Sequence, residues 1–239
     1  MKKIKTLIIG LGKISVGYND YNRKDILTHV KALKNNLDFK LIACVEKNKK
    51  KGKNFKKKYK IDVYNSLSKL KNKIFPDLAI IASNTDSHIK LINEILDYHP
   101  SISTILCEKP FGNNFVDAYR VLKKCKTKKV KLFVNYIRRA DPGAIKISQI
   151  LNKNFKKPIK GVVFYDGNVL NQASHIINLL QFWFGKTKNV IKIDNQKNKS
   201  LGCNFELDFN NTKVFFIALN IKNYSYASVE LISPSGRMN

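Results

Sequence analysis

The feature that most limits what this chain can fold into is a repeated alternation of short apolar runs with segments of helical period. The runs lie at residues 4–9, 40–45, 78–82, 104–107 and 132–134, and such alternation is the signature of a parallel sheet whose strands are joined by helices. One intervening segment sets Ile26, Val30, Leu33 and Leu37 at i, i+4, i+7 and i+11, a single helical face able to pack on that sheet. Another aligns Ile89, Ile92 and Leu96 in the same way. Residues 1–137 are therefore expected to form one α/β domain.

After Asp141-Pro142 the rhythm changes. A helix is expected near residues 144–151, a strand near 161–165, a helix near 172–184, and then a run of strands ending at 229–233. Strands gathered after helices point to an α+β domain over residues 138–239, built on a mainly antiparallel sheet. The closing Ser233-Pro234-Ser235-Gly236-Arg237 has the composition of a hairpin turn. No return strand is expected after it, and the domain is expected to be cut short there.

A hydrophobic content of 44% over 239 residues supports buried cores rather than disorder. No apolar run reaches the roughly 18 residues that span a bilayer. Residues 4–11 are interrupted by Lys5 and end in glycines without a small-residue cleavage site, so a first buried strand is expected there rather than a leader. The formal charge of +28 would ordinarily raise nucleic acid or an anionic membrane as partners. The basic residues are, however, overwhelmingly lysines spread along the chain, with Arg23, Arg120, Arg138, Arg139 and Arg237 as the arginines. The densest stretch, 47–60, interleaves Phe55 and Tyr59 as an exposed helix packing through its aromatics would. No nucleic-acid motif accompanies it, so neither nucleic acid nor membrane is expected as a partner. Cys44, Cys107, Cys125 and Cys203 lack C-x-x-C spacing and histidine neighbours. Neither a metal site nor a disulfide framework is expected from them, and a reducing cytoplasm fits.

The first strand delivers Gly10-Leu11-Gly12-Lys13-Ile14-Ser15, a G-x-G-x-x-S where the dinucleotide fingerprint carries glycine or alanine last. Gly10 would allow the tight turn and Gly12 the close approach of a pyrophosphate, with the amides from Lys13 and Ile14 onward holding its charge. Glu46 ends the second strand, where a carboxylate receives the adenosine ribose hydroxyls and favours NAD. Its distance from Gly12 exceeds the usual about 20 residues, and the polar segment 18–25 has the character of an insertion that accounts for much of the excess. Lys47 offers a 2'-phosphate an alternative partner, so NADP stays open.

Three further blocks complete the pattern: Ala82-Ser83-Asn84-Thr85-Asp86-Ser87-His88, Cys107-Glu108-Lys109-Pro110-Phe111, and Asn135-Tyr136-Ile137-Arg138-Arg139. Together they resemble the Gfo/Idh/MocA oxidoreductases, in which an N-terminal Rossmann domain binds the nicotinamide cofactor. The first block resembles the family's A-T-P-N-x-x-H turn beneath the nicotinamide, with Asn84 where proline is usual. The second resembles its E-K-P signature, and the third the strand end that leads into its second domain. The resemblance implies cofactor contacts from Ser83, Asn84, His88, Glu108, Lys109 and Asn135. Physically, a proline directly after a buried strand stops the ladder and leaves the residues before it at the strand's carboxyl edge, where open α/β sheets bind ligands. A lysine there can stabilise negative charge developing on a reacting oxygen.

In the second domain, the segment from Gly167 to Asn178 resembles the family's D-x-x-x-H-x-x-D helix. Asn171, His175 and Asn178, at i, i+4 and i+7, share one helical face beside the apolar stripe Ile176, Leu179, Leu180 and Trp183. Asn171 replaces an aspartate frequent in the family, and an amide orients but takes no proton at neutral pH. His175 is then the expected proton acceptor, since an imidazole pKa near about 6.5 suits proton transfer at neutral pH.

The expectation is a cytoplasmic NAD-dependent dehydrogenase or reductase acting on the CH–OH group of a sugar or nucleotide sugar, with a place in surface-polysaccharide synthesis. Lys109, His175 and Asn171 would be catalytic, and Arg138, Arg139 and Asn178 would meet the substrate. Homo-oligomerisation is expected if the second domain is complete enough. The alternative is a catalytically silent regulatory protein that binds cofactor or sugar on the same fold.

Overall fold

The computed structural model describes residues 2–18, 25–198, 200–223 and 225–239. The chain divides into two compact units, Met1–Asn135 and Tyr136–Asn239, each built on its own six-stranded sheet.

The first unit is a parallel sheet of β1 (Ile4–Ile9), β2 (Phe39–Val45), β3 (Val63–Tyr64), β4 (Leu78–Ile81), β5 (Thr104–Glu108) and β6 (Lys131–Asn135), in the order β3-β2-β1-β4-β5-β6. Both faces of this sheet are covered. Leu7, Ile9, Ala79, Ile81, Ile105 and Cys107 pack under α3 (Thr85–Tyr98) and α4 (Phe115–Thr127), through Ile92, Ile95, Val121 and Cys125. On the other face Ile8, Cys44 and Ile80 meet Val30 and Leu33 of α1 (His29–Asn35) and Phe55 of α2 (Lys49–Tyr59). Two-sided burial is why the strands are continuous apolar runs rather than alternating ones. Strand order reverses beside β1, so a crevice opens at the carboxyl ends of β1 and β4.

The long helical face expected over residues 26–37 is a shorter helix. Thr28 caps α1 by accepting the Lys31 amide, and the chain turns extended at Asn36 to feed β2. Val30 and Leu33 are buried, while Ile26 is 52% and Leu37 80% exposed. Lysine-rich α2 packs as expected through its aromatics: Phe55 is buried, the tilted Tyr59 ring lies 4.5 Å from it, and the ammonium of Lys34 lies over the Tyr59 ring. The expected insertion at 18–25 falls largely outside the described residues.

The second unit holds α5 (Pro142–Asn154), β7 (Ile159–Tyr165), α6 (Ser174–Phe184), β8 (Asn189–Lys192), β9 (Phe205–Asp208), β10 (Thr212–Ala218), β11 (Ala227–Ser233) and β12 (Gly236–Met238). The sheet order is β12-β11-β7-β10-β9-β8, with β7 and β10 parallel and the other pairs antiparallel. One face packs against α5 and α6: Val163, Tyr165, Val214 and Phe216 share a core with Leu151, Ile176, Leu180 and Trp183. The other face of β10 carries Lys213, Phe215 and Ile217, all exposed. The Trp183 indole N–H donates to the Ala144 carbonyl at 3.0 Å and ties the two helices together.

Two expectations are corrected here. The hairpin does have a return strand: β12 pairs antiparallel with β11, with Leu231 opposite Met238 and Ser233 opposite Gly236. It is only three residues long, too short for an alternating pattern to announce it. The helix expected from residue 172 begins instead with a widened π turn, Val169–Ala173, before regular α geometry starts at Ser174. No helix among the described residues is long and apolar enough to cross a membrane.

Candidate functional site

In the first unit the glycine loop follows β1 directly, and its two glycines are there for different reasons. Gly10 has φ +93°, and a Cβ on it would lie 2.8 Å from the Ala82 carbonyl oxygen, so the fold itself demands glycine. Gly12 has φ −80° and ψ −168°, open to any residue. A Cβ there would meet only the Ala82 oxygen, at 3.9 Å. Packing therefore does not explain Gly12. Gly12 lines a cleft of about 660 Å³ walled by Leu11, Glu46, Lys47, Lys51, Ser66 and Ser83 among others.

The loop runs into a single π turn, Lys13–Gly17, with Gly12 at its N-cap. The Lys13 and Ile14 amides head this turn, with no earlier helical carbonyl to accept them. Ser15 is fully buried, and its hydroxyl donates to the Gly10 carbonyl at 2.6 Å. Serine in place of glycine or alanine thus braces the turn from inside.

Glu46 sits at the end of β2 with both carboxylate oxygens engaged. One accepts the Leu11 amide and the other the Asn48 amide, each at 2.8 Å. The carboxylate therefore shapes the glycine loop while keeping a further lone pair on each oxygen for a ribose hydroxyl. Lys51, which the sequence analysis passed over, lines the same cleft as Lys47.

At the end of β4, Asn84 adopts φ −68° at the N-cap of α3. That angle is the one proline would impose, so the amide residue fills the family's proline position without altering the turn. The Ser83 and Ser87 hydroxyls bond at 2.7 Å, and Ser87 donates to the Asn84 carbonyl. His88, expected to touch the cofactor, is 1% exposed, with Nδ1 3.0 Å from the Pro110 carbonyl oxygen and Nε2 3.0 Å from that of Ser83. It ties the β4 turn to the loop after β5. A neutral ring carries one N–H and donates to one of these carbonyls at a time.

Glu108 closes β5 and is followed by Lys109 and the cis Lys109-Pro110 bond. Its Oε1 lies 2.7 Å from both His29 Nε2 and Asn135 Nδ2. Burial pushes the Glu108 pKa up, but hydrogen bonds from His29 and Asn135, the His29 charge and the Lys109 amide outweigh it and hold the carboxyl below its ordinary range. Sequence reasoning missed His29, whose partner lies 79 residues away. A usable signal was Thr28, an N-cap residue that starts a crossover helix. The nucleophile inventory is otherwise quiet, since burial pushes the Cys44 and Cys107 thiols up to about 12.

In the second unit, Tyr136 packs edge-on to the His175 ring at 5.9 Å, an aromatic contact the sequence did not announce. His175 is half-buried on α6, and Asn171 is exposed within the π turn, its amide donating to the Asn168 side chain. The widened turn means that the α-helical i, i+4 relation assumed for Asn171 and His175 does not apply across it. Arg139 is committed to α6: it donates to the Asn178 side chain at 2.6 Å and to the Asn178 carbonyl at 3.3 Å, and stacks over Phe182. Two residues expected to meet substrate therefore hold each other. Arg138, in the turn Ile137–Ala140, is exposed. No group of three or more potential metal ligands gathers among the described residues.

No curated protein matches the sequence. Among solved structures, the WlbA dehydrogenase from Bordetella pertussis, in complex with NADH and UDP-GlcNAcA, superposes with a TM-score of 0.80 at 17% identity, over 98% of this chain and 72% of that one. An oxidoreductase from Agrobacterium radiobacter, in complex with NAD+, L-tartaric acid and magnesium, gives 0.76 at 15% identity, over 99% and 79%. The myo-inositol 2-dehydrogenase from Lactobacillus plantarum gives 0.76 at 15%, over 99% and 76%. At these identities the likeness is one of fold. The sequence profile described as oxidoreductase family, NAD-binding Rossmann fold, matches residues 4–136, more than half of the chain. With the glycine loop, the Glu46 carboxylate and the Glu108-Lys109-Pro110 edge on that segment, this chain belongs to the Gfo/Idh/MocA family of NAD-binding oxidoreductases.

Proposed function

We propose that this chain is a dehydrogenase or reductase that moves a hydride between NAD and the CH–OH carbon of a sugar or nucleotide sugar. The observation that carries the reading is the open cleft at Gly12, a glycine that packing leaves unexplained. Gly12, the Lys13 and Ile14 amides and Glu46 fit a dinucleotide there: close backbone approach for a pyrophosphate, amides for its charge, a carboxylate for a ribose. The cofactor, when bound, supplies the hydride chemistry.

The remaining roles fall to side chains. Lys109 donates to the reacting oxygen and stabilises charge on it. His175 takes or returns the hydroxyl proton, its ring oriented by Tyr136. Asn171 orients, and Arg138 and Asn178 meet polar groups of the substrate, with Arg139 setting Asn178. The WlbA complex contains a nucleotide sugar, and a role in surface-polysaccharide synthesis follows as part of the same reading. Self-association through the uncovered sheet face of Phe215 and Ile217 belongs to it too, as does a cytoplasmic location, with all four thiols free. The amide at Asn171 favours a second reading, a silent cofactor- and sugar-binding regulator.

A screen of nucleotide sugars and inositols with NAD, followed at the nicotinamide absorbance, tests the proposal. Turnover is expected with a member of the panel. Lys109→Ala and His175→Asn should each lower it by about 10²–10⁴-fold, and His175→Asn should remove a pH-rate inflection near neutrality. Cofactor binding without turnover across the panel would favour the regulator.

A further inference from the structure

A polar cluster drawn from three elements of the first unit lies outside the glycine cleft. His29 Nε2, Glu108 Oε1 and Asn135 Nδ2 come from α1, β5 and β6, and the shared carboxylate oxygen is 2.7 Å from each nitrogen. The His29 and Glu108 side chains are only 12% and 13% exposed. We propose that His29 is a positioning residue for the Glu108-Lys109 edge, its Nε2–H holding the Glu108 carboxylate from one side while Asn135 holds it from the other. The inference rests on the reading above that Lys109 donates to the reacting oxygen, whose carbon exchanges hydride with the nicotinamide end of the cofactor.

The geometry goes beyond what α1 needs in order to fold. Thr28 already caps this helix, and Val30 and Leu33 already bury it against the sheet. The His29 contact instead reaches the last residue of β5, one peptide bond before Lys109. A carboxylate gripped by two donors restrains the main chain on which Lys109 is mounted, and displacements of about 1 Å at such a point cost roughly 10²-fold in rate. An ionised acceptor 2.7 Å away also requires a proton on Nε2, whether the ring is neutral or charged.

The test uses the full chain and two ligands, NADH and ADP-ribose, the second lacking the nicotinamide. In His29→Ala, NADH affinity should fall about tenfold while ADP-ribose affinity stays within about twofold; His29→Gln, whose amide can donate in the same direction, should recover NADH binding to within about threefold. Imidazole ¹⁵N spectra should show His29 protonated at Nε2, with that preference lost in Glu108→Gln. Equal weakening of both ligands in His29→Ala would mean a merely structural contact, and unchanged NADH binding or an Nδ1–H tautomer would overturn the proposal outright. Failure of the wild type to bind NADH is a separate result, one that removes the cofactor reading and this inference with it.

Discussion

The two units solve the problem of burying a six-stranded sheet in opposite ways. In the first, helices cover both faces, so adjacent residues of a strand are both core: Leu7 and Ile8, or Ile80 and Ile81. In the second, α5 and α6 cover one face, and β10 alternates buried Val214 and Phe216 with exposed Lys213, Phe215 and Ile217. Covering both faces requires crossover helices, and those bring loops to the carboxyl edge of parallel strands. Glycine loop, Ser83 turn and Glu108 edge all gather there. A half-covered sheet is free instead to offer its bare face to a partner.

Substitutions at neighbouring positions should break or sharpen this contrast. On β10, Phe216→Ala should cost about 3–5 kcal/mol in urea unfolding, whereas Phe215→Ala should fall within about 0.5 kcal/mol if its face is solvated. On β4, Ile80→Ala and Ile81→Ala should each cost about 2–5 kcal/mol, with no alternation. A cheap substitution at either would deny that both faces of the first sheet are buried. A smaller effect is expected at Arg139→Ala, about 1–2 kcal/mol from loss of its two bonds to Asn178 and its packing on Phe182.

What the sequence made legible follows the same division. Two-sided burial writes itself as continuous apolar runs, and β1, β4 and β5 lie within a residue or two of where those runs were read. One-sided helices are harder, because periodicity alone extended α1 to Ile26 and Leu37, which are 52% and 80% exposed among the described residues. The π turn before Ser174 and the three residues of β12 leave no periodic trace at all. Among site residues, Gly10 was legible because backbone geometry restricts residue type there, whereas Gly12 and Glu46 were read from motif spacing alone. His29 and Tyr136 were not legible, since their roles depend on contacts that no local pattern encodes.

The smallest effect expected is on pH dependence. The Glu108 carboxyl titrates below its ordinary range in the folded chain. The stability it contributes is therefore complete above the unfolded value of about 4.3 and is lost as pH falls through the lowered folded value. Thermal unfolding between about pH 5 and 2 should show a shallower acid decline in Glu108→Gln than in wild type. Identical declines would mean that the His29 and Asn135 bonds do not discriminate the ionised form.

Titration of wild type and Gly12→Ala with NADH tests most directly the proposal that the Gly12 cleft holds the dinucleotide. Wild type should bind with micromolar affinity. Gly12→Ala should unfold at the same temperature, since its Cβ meets only an oxygen at 3.9 Å, yet bind NADH at least about tenfold more weakly. Equal affinity in the two proteins, or no binding by the wild type, would contradict the account.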